Sequence, residues 1–482
     1  MNIVDLVTWQ ALRRPKAPAI LRKTTVISYA RLDGAVAHIA ERIAAQGLAP
    51  GQRVGVAMRT SPMHLMVLLA LARLGAVSLP VSPGELPEKR KELVERFRLT
   101  TIVSDFREYA VEGAPLLLVD PDWSMPPAAV TPPRAAAPEH DAPWRITLSS
   151  GTTGLTKGIY MRHAQMLSNV LLQRTVVRVG ADQRYLCFRD LDAAAGLRPC
   201  LIHLAAGGAV IFPSETEPAD FYEAAERHGA THASASPGLL RSLVAAAPRK
   251  GAPSLKHFEI GGAALQFALA EEAAAKITPH VLSTYGASET GRIAIAPIAL
   301  LRREPGCSGW FVPWVESQAL DDDGRVLPPG ERGALRFRGI GFASEYVDDA
   351  EASAKAFRDG WFWPGDAGRI DRRGLLFVEG RVDDLVNLGG AKIAPSAVEK
   401  VLETHPAVVE AAAFGAKSAQ GVTRLYAAVV TREPVEEKAL IAHCRAKLGS
   451  MAPGRIFTMA ALPRNENGKL LRRELASRVV SR

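Results

Sequence analysis

The sequence predicts an α/β protein with a large N-terminal domain of layered sheets and helices and a small α+β domain towards its C-terminal end. The prediction of layered sheets and helices comes from segments that alternate between helical and extended patterns. Residues 37–45 and 63–74 carry apolar side chains at helical spacing, whereas 51–57 and 75–80 are typical of a turn followed by a short strand. Such alternation favours layers built on largely parallel strands.

Two boundaries divide the chain. Prolines are dense between Pro121 and Pro143, which disfavours regular structure and indicates an exposed connection. A second boundary lies near Asp383, so we expect a large domain over residues 1–382 and a small one over 383–482. The small domain is predicted to contain helices over 395–402 and 435–448 and strands over 408–414 and 425–430.

Composition excludes several classes of protein. With 482 residues, 48% of them hydrophobic and 23% charged, the chain has the balance of a packed globular protein, not of a disordered or collagen-like one. The four cysteines lie far apart with no C-x-x-C pair, which argues against a disulfide framework or a zinc knuckle and fits a reducing cytosol. The first residues lack the pattern of a signal peptide, so we expect a cytoplasmic protein. The net charge of +9 weakly favours anionic ligands such as nucleotides, and no basic block with interleaved aromatics indicates nucleic acid.

The strongest local signal is a loop of small hydroxyl and glycine residues from Ser149 to Gly158 (SSGTTGLTKG), preceded by an apolar strand. Glycines let backbone N–H groups approach an anion closely, hydroxyls donate to phosphate oxygens, and Lys157 supplies a positive charge. Because Thr156 precedes the lysine, the loop is not a Walker A sequence. Taken alone, the pattern is equally consistent with phosphate binding and with a structural turn.

Further polar side chains lie beside glycines later in the chain. Tyr285 precedes a glycine, where a tyrosine ring can stack on a purine, and Glu289 offers carboxylate oxygens that suit Mg²⁺. Asp366 lies in a tight glycine-bounded turn, and a carboxylate accepts well from a vicinal diol such as a ribose. Lys469 lies on a polar turn near the end of the chain. Each of these, taken singly, is more typical of turn chemistry or of a solvated charge.

Taken together and in this order, these segments resemble the acyl-adenylating superfamily of acyl-CoA synthetases, adenylation domains and luciferases. The resemblance covers nearly the whole chain, and six motifs in the correct order and spacing leave little room for chance. The motifs lie at residues 149–158, 261–265, 285–289, 365–368, 380–384 and 463–469. Members of this family activate a carboxylic acid with Mg-ATP to give acyl-AMP and pyrophosphate, and then pass the acyl group to a thiol.

The resemblance implies roles for individual residues. Those that would bind ATP are Ser149, Thr152, Thr153, Gly154, Lys157, Gly262, Ala263, Tyr285, Gly286, Asp366 and Arg381. Lys469, Glu289 and Thr152 would be catalytic, with Glu289 also the Mg²⁺ ligand and Lys469 bridging the carboxylate and the α-phosphate.

The resemblance also implies that the small domain is mobile and rotates about a hinge at Asp383 between the half-reactions. Gly389 and Gly390 would then line the approach of the thiol. Because Gly390 is followed by Ala391-Lys392-Ile393, as in acyl-CoA synthetases, we expect coenzyme A as the acceptor.

The sequence departs from the family pattern at the acyl pocket, for which we name Asp192, Ala193 and Gly261. Aligned on Gly196, the aromatic-histidine pair of the family becomes Asp192-Ala193. The aspartate either faces a cationic or hydroxylated substrate or points to solvent, and we favour solvent because charged groups are seldom buried unpaired. His163 lies near the reacting carboxylate or packs in the core, and both interpretations stay open.

The resemblance therefore implies an acyl- or aryl-CoA synthetase that uses ATP, Mg²⁺ and coenzyme A, with a carboxylic acid as its substrate. Two alternatives stay open: an adenylation enzyme that loads the phosphopantetheine thiol of a separate carrier protein, and a non-catalytic nucleotide-binding relative. No nucleic acid or membrane partner is expected, and a homodimer is compatible with the sequence.

Overall fold

A computed structural model describes residues 1–125, 142–149, 156–382, 384, 386–388, 391–417, 423–464 and 470–480. Its helices are α1 (Asp5–Arg13), α2 (Tyr29–Ala44), α3 (Pro62–Leu74), α4 (Pro87–Arg96), α5 (His163–Val177), α6 (Ala194–Ala206), α7 (Pro218–His228), α8 (Pro237–Ala245), α9 (Phe267–Lys276), α10 (Ile298–Arg303), α11 (Ala350–Ala356), α12 (Pro395–Glu403), α13 (Glu437–Leu448) and α14 (Arg472–Val480).

The strands are β1 (Pro18–Arg22), β2 (Thr25–Ser28), β3 (Arg53–Ala57), β4 (Val77–Pro80), β5 (Thr101–Ser104), β6 (Leu116–Leu118), β7 (Pro143–Ser149), β8 (Lys157–Arg162), β9 (Arg184–Leu186), β10 (Ala209–Ile211), β11 (His232–Ala235), β12 (His257–Ile260), β13 (Val281–Ala287), β14 (Gly291–Pro297), β15 (Gly309–Phe311), β16 (Val315–Leu320), β17 (Gly333–Gly339), β18 (Phe357–Arg358), β19 (Trp361–Phe362), β20 (Asp366–Ile370), β21 (Leu375–Arg381), β22 (Val386–Leu388), β23 (Ala391–Ile393), β24 (Val408–Lys417), β25 (Thr423–Thr431) and β26 (Arg455–Thr458).

Helix α3 shows how local sequence sets one element. Ser61 caps its N-terminus by accepting from the backbone N–H of His64 at 3.1 Å, Pro62 occupies the first turn, and Gly75 ends the helix with a φ of 75°. Its apolar residues are buried all round, so it is an interior helix, which agrees with the helix predicted over 63–74. Among the residues that the structure describes, no helix is both long and apolar enough to cross a membrane.

Two large sheets carry most of the chain. The first runs in the order β6-β5-β3-β4-β7-β8, and its strands are parallel except for β8. The second contains a parallel series, β1-β10-β9-β11-β12-β13, continued by antiparallel strands from β14 onwards. Helices α2, α3, α5 and α6 share one apolar core with strands of both sheets. The layered α/β prediction is therefore confirmed.

A smaller α+β unit follows, in which α12 and α13 share an apolar core with the sheet β24-β25-β26. Helices α12 and α13 and strands β24 and β25 lie within three residues of the predicted ones, whereas β22, β23, β26 and α14 were not predicted. It contacts the large domain through a hydrogen bond from the Gln266 amide to the Glu403 carboxyl at 2.6 Å and through an ion pair between Arg241 and Glu410. A large N-terminal domain followed by a small C-terminal one is thus confirmed.

Tyr29 links the first helical layer to the second sheet. Its side chain is fully buried, and its hydroxyl lies 2.9 Å from the Leu204 carbonyl oxygen and 2.6 Å from that of Gly208. Replacing Tyr29 by phenylalanine removes the donor from two buried carbonyls, which should cost about 1–3 kcal/mol and lower the melting temperature. Tyr426→Phe is the matched control, because the Tyr426 hydroxyl makes no hydrogen bond within the described part of the chain. Equal melting temperatures for the two variants would contradict this account.

Candidate active site

The hydroxyl- and glycine-rich loop joins β7 to β8. Ser149 ends β7 and pairs in register with Lys157, which begins β8. Because β7 is parallel to β4, the loop leaves the sheet at the carboxyl end of a parallel strand, where ligands of α/β proteins commonly bind. Thr152, Thr153 and Gly154 lie outside the described residues.

Glu289 is a buried carboxylate near the start of β8, with only 8% of the residue exposed. The Tyr346 hydroxyl donates to Glu289 Oε1 at 2.9 Å, and Lys157 Nζ lies 4.7 Å from the centre of the Tyr346 ring. Burial raises the pKa of the Glu289 carboxyl, and the Tyr346 hydrogen bond and the charge of Lys157 partly oppose that rise. A carboxylate, a tyrosine and a lysine therefore meet at the end of the loop.

A second group of polar side chains joins two strand pairs. The Tyr285 hydroxyl donates to Asp366 Oδ2 at 2.5 Å, and Arg381 Nη1 lies 3.1 Å from Asp366 Oδ1. Asp366 and Arg381 face each other across the antiparallel pair β20-β21. Burial and the negative charge of Asp366 raise the pKa of the Tyr285 hydroxyl, so it stays a hydrogen-bond donor. Three residues predicted to bind ATP are thus in mutual contact.

Glycines allow the backbone to pack closely around this group. Gly261 follows β12, and a Cβ there would collide with Thr284 Oγ1; a Cβ at Gly286 would collide with the carbonyl oxygen of Gly291. Gly262 has a φ of +95°, which side-chain-bearing residues rarely adopt, and it is exposed beside the half-buried Ala263. Gly261 and Gly286 therefore allow close packing at the ends of neighbouring parallel strands, and Gly262 leaves exposed backbone there.

A cleft opens beside Glu289. Its lining includes Ser288, Glu289, Gln165, Asn169 and Arg198. No cluster of three or more His, Cys, Asp or Glu side chains able to hold a metal occurs in the described part of the chain. The donor set fits Mg²⁺ bound with a nucleotide, since that cation is commonly held by one or two carboxylates together with substrate phosphates.

The sequence profile of the AMP-binding enzyme family matches residues 7–347, and that of the AMP-binding enzyme C-terminal domain matches residues 397–469. The chain belongs to the AMP-binding enzyme family.

Proteins similar to this AMP-binding enzyme have been characterised in several bacteria. It is 28% identical to 4-chlorobenzoate–CoA ligase of an Arthrobacter species over 98% of this chain and 94% of the relative. It is also 28% identical to the fatty acid–[acyl-carrier-protein] ligase ScoC of Streptomyces coeruleorubidus, over 99% of this chain and 96% of the relative. The structure of o-succinylbenzoate coenzyme A synthetase (MenE) of Bacillus subtilis with ATP and magnesium superposes with a TM-score of 0.86 at 25% identity, covering 98% of each chain.

Asp192 does not point to solvent as the sequence analysis expects. Its side chain is 19% exposed, and its Oδ1 lies 3.8 Å from Nε2 of the buried His64. The buried Arg145 donates through Nη2 to the carbonyl oxygens of Leu191 and Asp192 at 2.9 and 3.0 Å. Burial raises the pKa of Asp192 to about 7, with the charge of Arg145 opposing that rise. Non-local packing, which brings a cation next to the aspartate, allows its burial.

Two other residues near the expected acyl pocket have structural roles. Ala193 is the N-cap residue of α6. His163 Nδ1 accepts from the Ile3 backbone N–H at 3.1 Å, and its ring stacks on Trp144. Burial lowers the pKa of His163 to about 4, so the ring is neutral at physiological pH. Core packing is therefore the interpretation that the geometry of His163 favours.

The remaining predicted residues lie outside the described part of the chain: Lys469, Asp383, Gly389 and Gly390. Sequence reasoning in turn missed Tyr346, Asn169 and Arg198. Tyr346 is not adjacent to a glycine, and Asn169 and Arg198 lie inside largely apolar helices, so none stands in a glycine-bounded turn like the other site residues.

The environment of Asp192 predicts a pH-dependent stability. Its pKa is about 7 in the folded chain against an ordinary value of 3.8, so between about pH 4 and 7 the folded state binds more protons than the unfolded state. Stability should then fall as pH rises through this window, by at most about 1.4 kcal/mol per pH unit. Asparagine cannot ionise, so the melting temperature of Asp192→Asn relative to wild type should rise between pH 5 and pH 8.

The control for this comparison is Asp359→Asn, since Asp359 is an exposed aspartate. Its melting temperature relative to wild type should be the same at both pH values. A relative melting temperature of Asp192→Asn that does not change with pH would show that Asp192 is already ionised at pH 5.

Proposed function

We propose that this AMP-binding enzyme is an acid–thiol ligase. It activates a carboxylic acid with ATP and Mg²⁺ to an acyl adenylate and then transfers the acyl group to coenzyme A. One observation carries the proposal: the Lys157–Tyr346–Glu289 group lies beside a cleft, and Glu289 stands just after strand β13, which supplies Tyr285 of the Tyr285–Asp366–Arg381 group.

The chemistry explains why these side chains are needed. A carboxylate oxygen attacks the α-phosphorus of ATP, and the bond from that phosphorus to pyrophosphate breaks. Two anions must meet, so the enzyme works chiefly by positioning them and by neutralising charge. In the second step the thiol sulfur attacks the acyl carbonyl carbon, the thiol loses its proton, and AMP leaves.

Each group has a role in this proposal. Lys157, with Ser149, Thr152, Thr153 and Gly154, binds the β- and γ-phosphates. Tyr285 packs on adenine near Gly262, Ala263 and Gly286, while Asp366 and Arg381 hold the ribose. Glu289 would hold Mg²⁺, which supplies positive charge to the triphosphate when bound.

The small domain completes the proposed cycle. Residues 383–482 rotate about Asp383 between the two steps, so that Lys469 serves adenylation and the segment at Gly389–Gly390 serves thioester formation. The contacts of Gln266 with Glu403 and of Arg241 with Glu410 join this domain to the large one, and both use side chains that can separate without unfolding either core.

The acceptor has one alternative, a carrier-protein thiol, which the similarity to the acyl-carrier-protein ligase favours. Full-length protein is incubated with Mg-ATP and a panel of acids, with coenzyme A or with a phosphopantetheinylated carrier protein, and AMP and thioester are measured. Thioester formation with coenzyme A supports the proposal. AMP release that does not depend on coenzyme A but requires the carrier protein would favour the alternative. If no acid drives ATP–pyrophosphate exchange, acid activation is refuted.

Glu289→Gln tests the metal ligand. Glutamine keeps the size of the side chain and an oxygen that accepts from Tyr346, but it removes the negative charge that attracts the cation. The Mg²⁺ concentration for half-maximal activity should rise by about 10-fold or more. The control, Glu271→Gln, changes a glutamate that pairs with the exposed Arg302 and should leave the magnesium curve unchanged. Identical magnesium curves for Glu289→Gln and wild type would remove Glu289 as the ligand.

Lys469→Ala tests the division of labour between the two steps. Adenylation should fall by about 10²–10³-fold, the effect of removing one electrostatic stabiliser. Thioester formation from pre-made acyl-AMP should be largely spared, because Lys469 acts only in the first step. Lys438→Ala, in an exposed lysine of the same small domain, is the control and should affect neither step. Equal loss of both steps in Lys469→Ala would contradict rotation.

A further inference from the structure

The cleft beside Glu289 is lined in part by a guanidinium group and by amide side chains. Arg198 and Asn169 line it together with Ser288 and Glu289. An acid whose reacting carboxylate lies near Glu289 would therefore place its distal part near Arg198 and Asn169.

These side chains converge on one point. A Cβ added at Gly291 would lie 2.9 Å from Arg198 Nη1 and 2.9 Å from Asn169 Nδ2. Gly291 also has a φ of +72°, so a side chain is excluded there by backbone strain as well as by the lack of space. The glycine leaves the guanidinium and the amide directed at the same small volume.

The donors in this volume lack partners among the described residues. Asn169 is 2% exposed, and both its amide nitrogen and its amide oxygen are buried without a hydrogen bond; the same holds for Arg198 Nε and for Gln173 Nε2. Buried polar groups are nearly always hydrogen-bonded, and leaving one unsatisfied costs about 1–3 kcal/mol. Unsatisfied buried polar groups mark places that an ordered water, an ion or a ligand fills.

The charge of the region is also unbalanced. Arg292 makes an ion pair with Glu259, so the negative charge of Glu259 is already paired. Arg292 also donates a hydrogen bond to the side-chain oxygen of Gln173. Arg198 has no ion pair among the described residues, and burial together with the charge of Arg292 lowers its pKa to about 10. Arg189 adds a further cation, with its Nη2 3.5 Å from where a Cβ of Gly262 would lie. Arg189, Arg198 and Arg292 thus share one neighbouring glutamate, Glu259, and positive charge is in excess around it.

We infer that the acid activated here carries a second anionic group, and that Arg198 and Asn169 bind it. The inference rests on the proposed function and names its substrate class: short dianionic acids such as dicarboxylates or sulfocarboxylates. The reacting carboxylate lies at the Glu289 end, and the distal anion accepts hydrogen bonds from the guanidinium and the amide nitrogen. Arg292, already paired with Glu259, contributes long-range attraction.

Wild-type selectivity tests the inference without any variant. ATP–pyrophosphate exchange is measured with matched pairs of acids: butyrate and succinate, pentanoate and glutarate, propionate and 3-sulfopropionate. The kcat/KM for the best dianionic acid should exceed that of its monoanionic partner by about 100-fold. The monoanionic acid has no group to pair with Arg198 and leaves that buried cation without a partner. Equal or better use of the monoanionic acids would overturn the inference while leaving acid activation intact.

Arg198→Ala and Arg198→Lys identify the residue. In the alanine variant, KM for the dianionic acid should rise by about 10²-fold, KM for ATP should not change, and the preference over the matched monocarboxylate should disappear. Arg198→Lys keeps the positive charge but loses the paired N–H donors of the guanidinium, so it should retain part of the preference that Arg198→Ala loses. The control, Arg227→Ala, alters an exposed helix arginine paired with Glu223 and should keep wild-type selectivity.

Two other results would decide against the inference. If Arg198→Ala raised KM for ATP alike with both classes of acid, the guanidinium would be a phosphate ligand and not an acid-binding group. If no acid drove exchange in the wild type, the proposed function itself would fail and this inference with it. If the melting curve shows that Arg198→Ala is misfolded, the inference is tested by the acid selectivity of the wild type and by Arg198→Lys.

Discussion

Two tyrosine hydroxyls, each donating to a carboxylate, hold the site together. Tyr285 donates to Asp366 and Tyr346 donates to Glu289, and in each case the partners come from different parts of the chain. A carboxylate placed next to a triphosphate would be repelled unless its position were fixed and a cation were shared between the two. The tyrosines supply the fixed position, since a hydroxyl whose pKa is raised by burial and by a neighbouring carboxylate remains protonated. The rest of the arrangement, including the cleft, is built around these two contacts.

Elements governed by neighbouring residues could be predicted from the sequence. Helix α3 and strands β3 and β4 lie within two residues of their predicted limits, because an N-cap serine, a C-terminal glycine and apolar periodicity are all local signals. The order of the strands could not be predicted. That β1 lies next to β10 depends on how α2 and α6 pack in a shared core, which no short segment encodes.

The same division applies to the site. Glu289, Asp366 and Arg381 stand in or beside glycine-containing turns whose order along the chain is informative, so the sequence identifies them as candidates. Asn169 and Arg198 lie within helices α5 and α6, where a polar residue is ordinarily interpreted as part of the exposed face. The expectation that Asp192 faces solvent was wrong for a related reason: its cationic neighbour Arg145 is 47 residues away in sequence. General rules on burial of charge cannot anticipate a partner that only the tertiary fold supplies.

The spacing of the site along the chain has a consequence for how the protein acquires its ligand. Lys157 begins β8, Glu289 lies between β13 and β14, and Arg381 ends β21, so no fragment lacking any of these regions can hold the complete nucleotide site that we propose. Nascent chains must therefore finish most of their long-range pairing before nucleotide can contribute any binding energy. Nucleotide would then slow the unfolding of finished molecules without speeding the early steps of their folding. Cellular nucleotide levels would thus act on the lifetime of the enzyme and not on the yield of its synthesis.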